Sequence, residues 1–174
     1  MLSPLSDSRH AAKVPTPSCR AIDTDTVILY DANTGMELRA VLDTNLFVAA
    51  YWNKQSASAS IIAACLAGDL QAYCTPEIER ELWTVIRNIR AREEFAATVS
   101  NLIGRAERIS PWAEVDVHTD DPEDQKFLVC AASADADYLI TSDDHLLRLR
   151  TVGRTKIVKP GEFWRQFTGR PHPS

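Results

Sequence analysis

Residues 39–50 read RAVLDTNLFVAA. The first four have the aliphatic character of a short buried strand, and Leu46 to Ala50 that of an apolar helix, yet Asp43, Thr44 and Asn45 stand between them. A carboxylate where a buried strand ends costs free energy unless it is hydrogen-bonded or meets a positive charge. Asp is also a favoured helix N-cap, and that role alone would account for Asp43. The rest of the chain has to say whether Asp43 only caps a helix or awaits a cation.

Moving outward from this junction, aliphatic runs alternate with helical patterns. Strands are predicted over Leu38–Asp43, Gln71–Thr75, a short piece within Arg108–Val117, Tyr138–Thr141 and Lys156–Val158. Helices are predicted over Ser56–Ala67 (ending near Gly68), Pro76–Arg90, Glu93–Arg108, Pro122–Ala134 and Asp144–Leu149, with a terminal one from Pro160. Such βα alternation predicts an α/β fold, a parallel sheet of about five strands with helices on both faces. Ligands of such sheets bind beyond the carboxyl ends of the strands.

Composition sets few limits beyond a globular domain: of 174 residues, 45% are hydrophobic and 25% charged, with a net charge of −5. No basic excess advertises nucleic acid or an anionic membrane, although a local basic patch remains compatible with that balance. Cys19, Cys65, Cys74 and Cys130 form no metal-binding spacing; buried free thiols in a reduced, cytoplasmic protein are the expectation. No apolar stretch is long enough to span a bilayer, so no membrane role is expected. Residues 1–35 form an aperiodic extension expected to be poorly ordered, with a short strand as the one option at TVILY (26–30). Met36 looks like a natural domain start, and an alternative translation start there is one hypothesis. The domain is expected over 36–168, followed by a tail at 169–174.

Four acids fall near strand ends. Asp43 follows the first strand, with Thr44 and Asn45 able to orient it. In TPEIERELWTVIRNIR the apolar stripe Ile78, Leu82, Val85, Ile89 leaves Glu81 nearest the core edge, roughly 70° from the stripe's centre at about 100° per residue. Asp124 lies in DPEDQKFLVCAA one turn before Phe127 and Leu128, which should face the core, with Asp121 as the cap. Asp143 follows Tyr138–Thr141 and Ser142. Each has a plain structural reading as a cap, a dipole partner or a boundary ion pair. Gathered at one sheet edge, however, they would repel and raise one another's pKa unless a cation neutralised them. A hard divalent ion with oxygen ligands, Mg²⁺ or Mn²⁺, suits such a set and supports phosphodiester hydrolysis. No G-x-S-x-G, Walker or G-x-G-x-x-G sequence offers another chemistry.

The stretches VLDTNLFVAA, CTPEIERELWTVI, DPEDQKFLVCAASADADYLITSDDHLL and IVKPGEFW, in this order and spacing, resemble the PIN-domain nucleases. More narrowly they resemble the PIN toxins of toxin–antitoxin pairs, relatives of virulence-associated protein C. The resemblance spans about Met36 to Trp164 and implies a three-layer α/β/α, PIN-like fold. It places the catalytic, metal-binding acids on Asp43, Glu81, Asp124 and Asp143. Asn45, Thr44, Thr141, Ser142 and the outer acid Asp121 support them. It implies an Mg²⁺- or Mn²⁺-dependent endoribonuclease acting on single-stranded RNA, a homodimer, and a cognate antitoxin.

Substrate contacts are expected from basic residues rimming the acids: Arg80, Arg87 and Arg90, then Arg148, Arg150, Arg154 and Lys156. Trp52, in the polar YWNKQS, is the tryptophan best placed to stack on a base. Three alternatives stay open: a PIN nuclease acting on DNA or in RNA maturation, a catalytically silent RNA- or protein-binding module, and an aspartyl phosphatase. The last lacks its strand-end D-x-D, because Asn45 stands two residues after Asp43.

Overall fold

The central strands of the sheet are buried along nearly their whole length, as expected where helices cover both faces. The structure, a computed structural model, describes residues 38–168. The extension at 1–35 with its TVILY stretch, the Met36 start, Cys19 and the tail at 169–174 lie outside the described residues.

Among the described residues the sheet has six strands: β1 (Arg39–Leu42), β2 (Gln71–Cys74), β3 (Glu107–Arg108), β4 (Tyr138–Ile140), β5 (Thr151–Val152) and β6 (Thr155–Val158). Their spatial order is β3-β2-β1-β4-β6-β5. All neighbours run parallel except β5, which pairs antiparallel with β6. The expected parallel sheet of about five strands is thus present in β1, β2, β3, β4 and β6, and β5 adds an antiparallel edge hairpin to it. Its turn contains Gly153 at φ +55, a backbone conformation that glycine adopts without strain.

Among the described residues seven α-helices accompany the strands: α1 (Thr44–Trp52), α2 (Ala57–Ala67), α3 (Pro76–Asn88), α4 (Glu93–Arg105), α5 (Gln125–Ser133), α6 (Asp144–Leu149) and α7 (Pro160–Thr168). Two further expectations shift. Helix α4 ends at Arg105, and the edge strand begins at once at Glu107 instead of within the segment that follows. The segment expected as one helix from Pro122 starts as a 3-10 turn, Pro122–Asp124, before α5. The change of winding follows from the Asp121 cap, whose carboxylate accepts from the Glu123 backbone N–H at 2.9 Å.

Helix α2 packs on α1, α4 and α7, while α5 lies across β1, β2 and β4 and touches α3. One continuous core results, with Phe127, Leu128, Leu46, Ile61, Leu139, Ile140 and Phe163 almost wholly removed from water. Cys65, Cys74 and Cys130 are free and buried, and burial pushes their thiols up to about 12, 11 and 12 respectively. Such thiols stay protonated and unreactive. No helix among the described residues is long and apolar enough to cross a membrane.

Topology also marks a place for chemistry. From β1 the chain moves outward through β2 to β3, then returns to the other side of β1 to form β4. The crevice beyond the carboxyl ends of β1 and β4 is thus the point where strand order reverses, the usual ligand position in an open α/β sheet.

Candidate active site

Asp43 and Asp143 follow the two strands that border this crevice, and both cap helices. The Asp43 carboxylate accepts from the Asn45 backbone N–H at 3.1 Å and opens α1. Asp143 accepts from the His145 N–H at 2.7 Å and opens α6. The capping reading of both residues is therefore correct as local structure. It is incomplete, because a cap is normally a solvated surface feature and Asp43 is 2% exposed.

Thr141 explains how the two acids are held together. Its hydroxyl donates to Asp43 Oδ2 at 2.6 Å and accepts from the Asp143 backbone N–H at 2.9 Å. Thr44 works on the other side, its hydroxyl donating to Glu81 Oε1 at 2.7 Å and lying 3.4 Å from Asp43 Oδ1. Glu81 reaches in from α3, half-buried beside the core residues Ile78 and Leu82, as the helical stripe anticipates. Asp124, at the start of α5, completes the set.

The electrostatics show that the four acids share one field. Burial raises the Asp43 carboxyl above its ordinary value against the hydrogen bonds from Thr141 and Asn45, and the charges of Asp143 and Glu81 raise it further. Asp124 is pushed up to about 6, first by burial and then by Asp143, Asp121 and Asp43, with Lys126 opposing. Surplus negative charge gathered this way is the observation that fits a cation. The donors are all hard carboxylate oxygens, which suits Mg²⁺ or Mn²⁺. The fit is one of donor chemistry and charge rather than ready-made distances. As placed, no group of three or more His, Cys, Asp or Glu among the described residues could hold a metal ion. Glu81 is engaged by Thr44 and by Lys126, whose ammonium lies 2.5 Å from Oε2.

The supporting residues divide. Thr44 and Thr141 touch the acids directly, and Asp121 raises Asp124 while capping the 3-10 turn. Asn45 acts through its backbone N–H, and its residue is exposed, so its amide is not the group that positions Asp43. Ser142 is exposed. Among the basic candidates, Arg80 is exposed beside Glu81, and Arg148 on α6 lies 3.7 Å from Asp120. Arg87 donates to Thr84 at 3.3 Å, more than a helical turn beyond Glu81. Arg154 is spent on Asp135 and Asp137 at the opposite end of β4, and Lys156 pairs in register with Tyr138 at that same end. These two are corrected away from the rim.

Trp52 is also separated from the acids. It is 72% exposed but ends α1, roughly 13 Å from Asp43 along the helix. There it lines an apolar groove of about 460 Å³ with Tyr51, Ile62, Leu66 and Phe95.

Lys126 is the residue that sequence reading missed. Its signal is its place four residues before the buried Cys130, on the same face of α5. A lysine there must find a partner, and it finds Glu81.

Residues 39–145 match the model of the PIN domain. The chain belongs to the PIN-domain family. The matched segment runs from β1 into α6 and so contains all four acids. Among solved structures, this PIN domain is similar to the crystal structure of VapBC2 from Rickettsia felis bound to a DNA fragment from their promoter. The TM-score is 0.50 at 17% identity, over 70% of this chain and 98% of that one, a likeness of fold. A search of curated proteins found no match.

Proposed function

We propose that this PIN domain is an Mg²⁺- or Mn²⁺-dependent endoribonuclease that cuts single-stranded RNA, and that it is the toxin of a toxin–antitoxin pair. The observation that carries the reading is the convergence of Asp43, Glu81, Asp124 and Asp143 on the crevice between β1 and β4, with Asp43 withdrawn from water. PIN membership supports nuclease chemistry, and the VapBC2 likeness supports the toxin setting, a cognate antitoxin as partner and a cytoplasmic location. Homodimerisation follows from the family resemblance.

A bound divalent ion supplies a water of lowered pKa and neutralises charge on the phosphodiester. Asp43, Asp124 and Asp143 offer carboxylate oxygens to it, with Glu81 at the edge of the cluster. Thr141 fixes the spacing of Asp43 and Asp143 through its single hydroxyl. Arg80 and Arg148 stand exposed on α3 and α6, where they can meet backbone phosphates of a strand crossing the crevice. The family resemblance implies that hydrolysis leaves a 5′-phosphate and a 3′-hydroxyl.

The test incubates purified protein with end-labelled single-stranded RNA and DNA, with Mn²⁺ or with EDTA. RNA cleavage that needs Mn²⁺ and falls about a hundredfold or more in Asp43→Asn is expected. Cleavage in EDTA, or full activity of Asp43→Asn, would refute the mechanism. Preference for DNA would redirect the substrate, and RNA binding without cleavage would favour a silent binding module. Growth arrest on expression, relieved by a neighbouring gene's product, tests the toxin role.

A further inference from the structure

The groove of about 460 Å³ lies between the end of α1, one face of α2 and the start of α4. Its floor is Ala59, Ile62, Ala63 and Leu66, spaced i, i+3, i+4, i+7 along α2. Its wall is a row of packed rings: the centre of Tyr51 lies 5.0 Å from that of Trp52 and 5.2 Å from that of Phe95. Trp52 and Ala63 stay exposed, so apolar surface is held open to water in a concave patch, which marks an interaction surface. Among the described residues its lining holds two cations, Lys54 and Arg92, against one acid, Glu94. Both cations are exposed, and neither makes an ion pair among the described residues.

A matching segment is tethered close by. The carbonyl of Leu38, the first described residue, accepts from the Gln71 N–H at 2.9 Å, and Gln71 stands three residues after Gly68, the end of α2. The chain therefore enters the fold beside the Leu66 end of the groove floor. In the residues before it, the longest apolar run is 27–30, VILY, inside 25–31, DTVILYD. An aspartate thus stands on either side of the run, as Lys54 and Arg92 stand on the groove. Residues 31–37 span up to about 25 Å when extended, and the floor from Leu66 to Ala59 is about 10 Å long. The tether is long enough. The other end of the chain does not fit, because residues 169–174, GRPHPS, carry no large apolar side chain.

We propose that this groove is the docking site of the chain's own residues 26–30, TVILY, with Asp25 and Asp31 meeting Lys54 and Arg92. The apolar side chains of the segment cover the α2 floor and the aromatic wall, and the aspartates hold it in place by charge. A short tether gives an effective concentration of about a millimolar, so a contact of modest strength suffices. Another protein then reaches this surface only by displacing the segment. The proposal goes beyond the nuclease reading and does not rest on it, since Trp52 stands roughly 13 Å along α1 from Asp43.

The experiment puts the photo-crosslinker benzoylphenylalanine in place of Tyr30 in the full-length chain. An equal mixture of light and isotope-labelled protein is irradiated, and the crosslinks are mapped by mass spectrometry. Crosslinks within one chain, to residues 50–66 and 92–98, are expected. Ala63→Arg sets a charge on the exposed middle of the floor and should lower their yield about tenfold. Lys54→Glu/Arg92→Glu should lower it about threefold, and adding Asp25→Lys/Asp31→Lys to that double variant should restore it. All three groove positions are exposed, so these variants leave the core untouched. Should Ala63→Arg still fail to fold, the charge-reversal set decides alone. Crosslinks between light and labelled chains in place of same-chain ones would overturn the proposal in favour of a second copy as the occupant. So would crosslinks scattered outside the groove, no crosslinks at all, or a yield that the folded groove variants leave unchanged.

Discussion

The Thr141 hydroxyl is the smallest part on which the site depends. It is fully buried, donates to Asp43 and accepts from the Asp143 backbone N–H, so a single oxygen sets the separation of two acids from different strands. Replacing it with valine keeps the shape and takes the partner from the buried Asp43 Oδ2 and the partly buried Asp143 N–H, which costs about 1–3 kcal/mol. Thr141→Val should therefore lower the chemical-denaturation stability of the metal-free protein by that amount. It should also weaken Mn²⁺ binding roughly tenfold, as removal of an orienting hydrogen bond does. Thr141→Ser, which keeps the oxygen, should recover most of both. Native-like stability and native-like Mn²⁺ affinity in Thr141→Val would show that the hydroxyl does not hold the acids together.

The elements obey local chemistry, and Gly68 makes that measurable. It closes α2 at φ 88 and ψ 11, its N–H turned back to the carbonyls of Ala64 and Cys65. A Cβ there would meet nothing within 4 Å, so Gly68→Ala carries only the left-handed backbone penalty, about 1 kcal/mol. Urea denaturation should show that loss, with metal binding unchanged because Gly68 leads into Gln71, which pairs at the start of β1, the end opposite Asp43. Loss of Mn²⁺ binding would contradict so local a role. This helix was fully legible in sequence because Ser56 caps it, Gly68 stops it and a long apolar run lies between. Asp144–Leu149 and the strand-end acids were legible for the same reason: each is decided by neighbouring residues. The two-residue strands β3 and β5 were not, since they carry almost no periodicity and exist through pairing with β2 and β6. Lys126 and the bonds of Thr141 depend on tertiary contacts in the same way. The resemblance names Thr141 as a supporting residue, but its two hydrogen bonds, to Asp43 and from the Asp143 N–H, like the Lys126–Glu81 pair, exist only where α3, α5, β1 and β4 meet.

At the scale of the whole molecule, the acidic crevice is a fault in the metal-free fold that a cation repairs. The Asp124 carboxyl is raised from 3.8 to about 6, and that of Asp43 is raised as well. In the window between those values the folded protein holds protons that the unfolded chain has already released. Stability from these two groups is therefore greatest on the acid side and declines as pH rises through the window toward neutrality. A divalent ion acts in the opposite direction: it binds ionised carboxylates of the native state and stabilises by about 2.7 kcal/mol at a hundred times its dissociation constant. Thermal unfolding of chelator-treated protein should accordingly show a lower midpoint at about pH 7.5 than at about pH 5. Mn²⁺ should raise the midpoint strongly at the higher pH and weakly at the lower, where protons compete for the same oxygens. In Asp43→Asn, which keeps an N-cap but loses the buried charge, the metal-free midpoint should be equal to or above the native one and the Mn²⁺ response should disappear. A metal-free midpoint that climbs between those two pH values, or an Mn²⁺ response of equal size at both, would mean that the crevice is already neutralised by the protein's own groups.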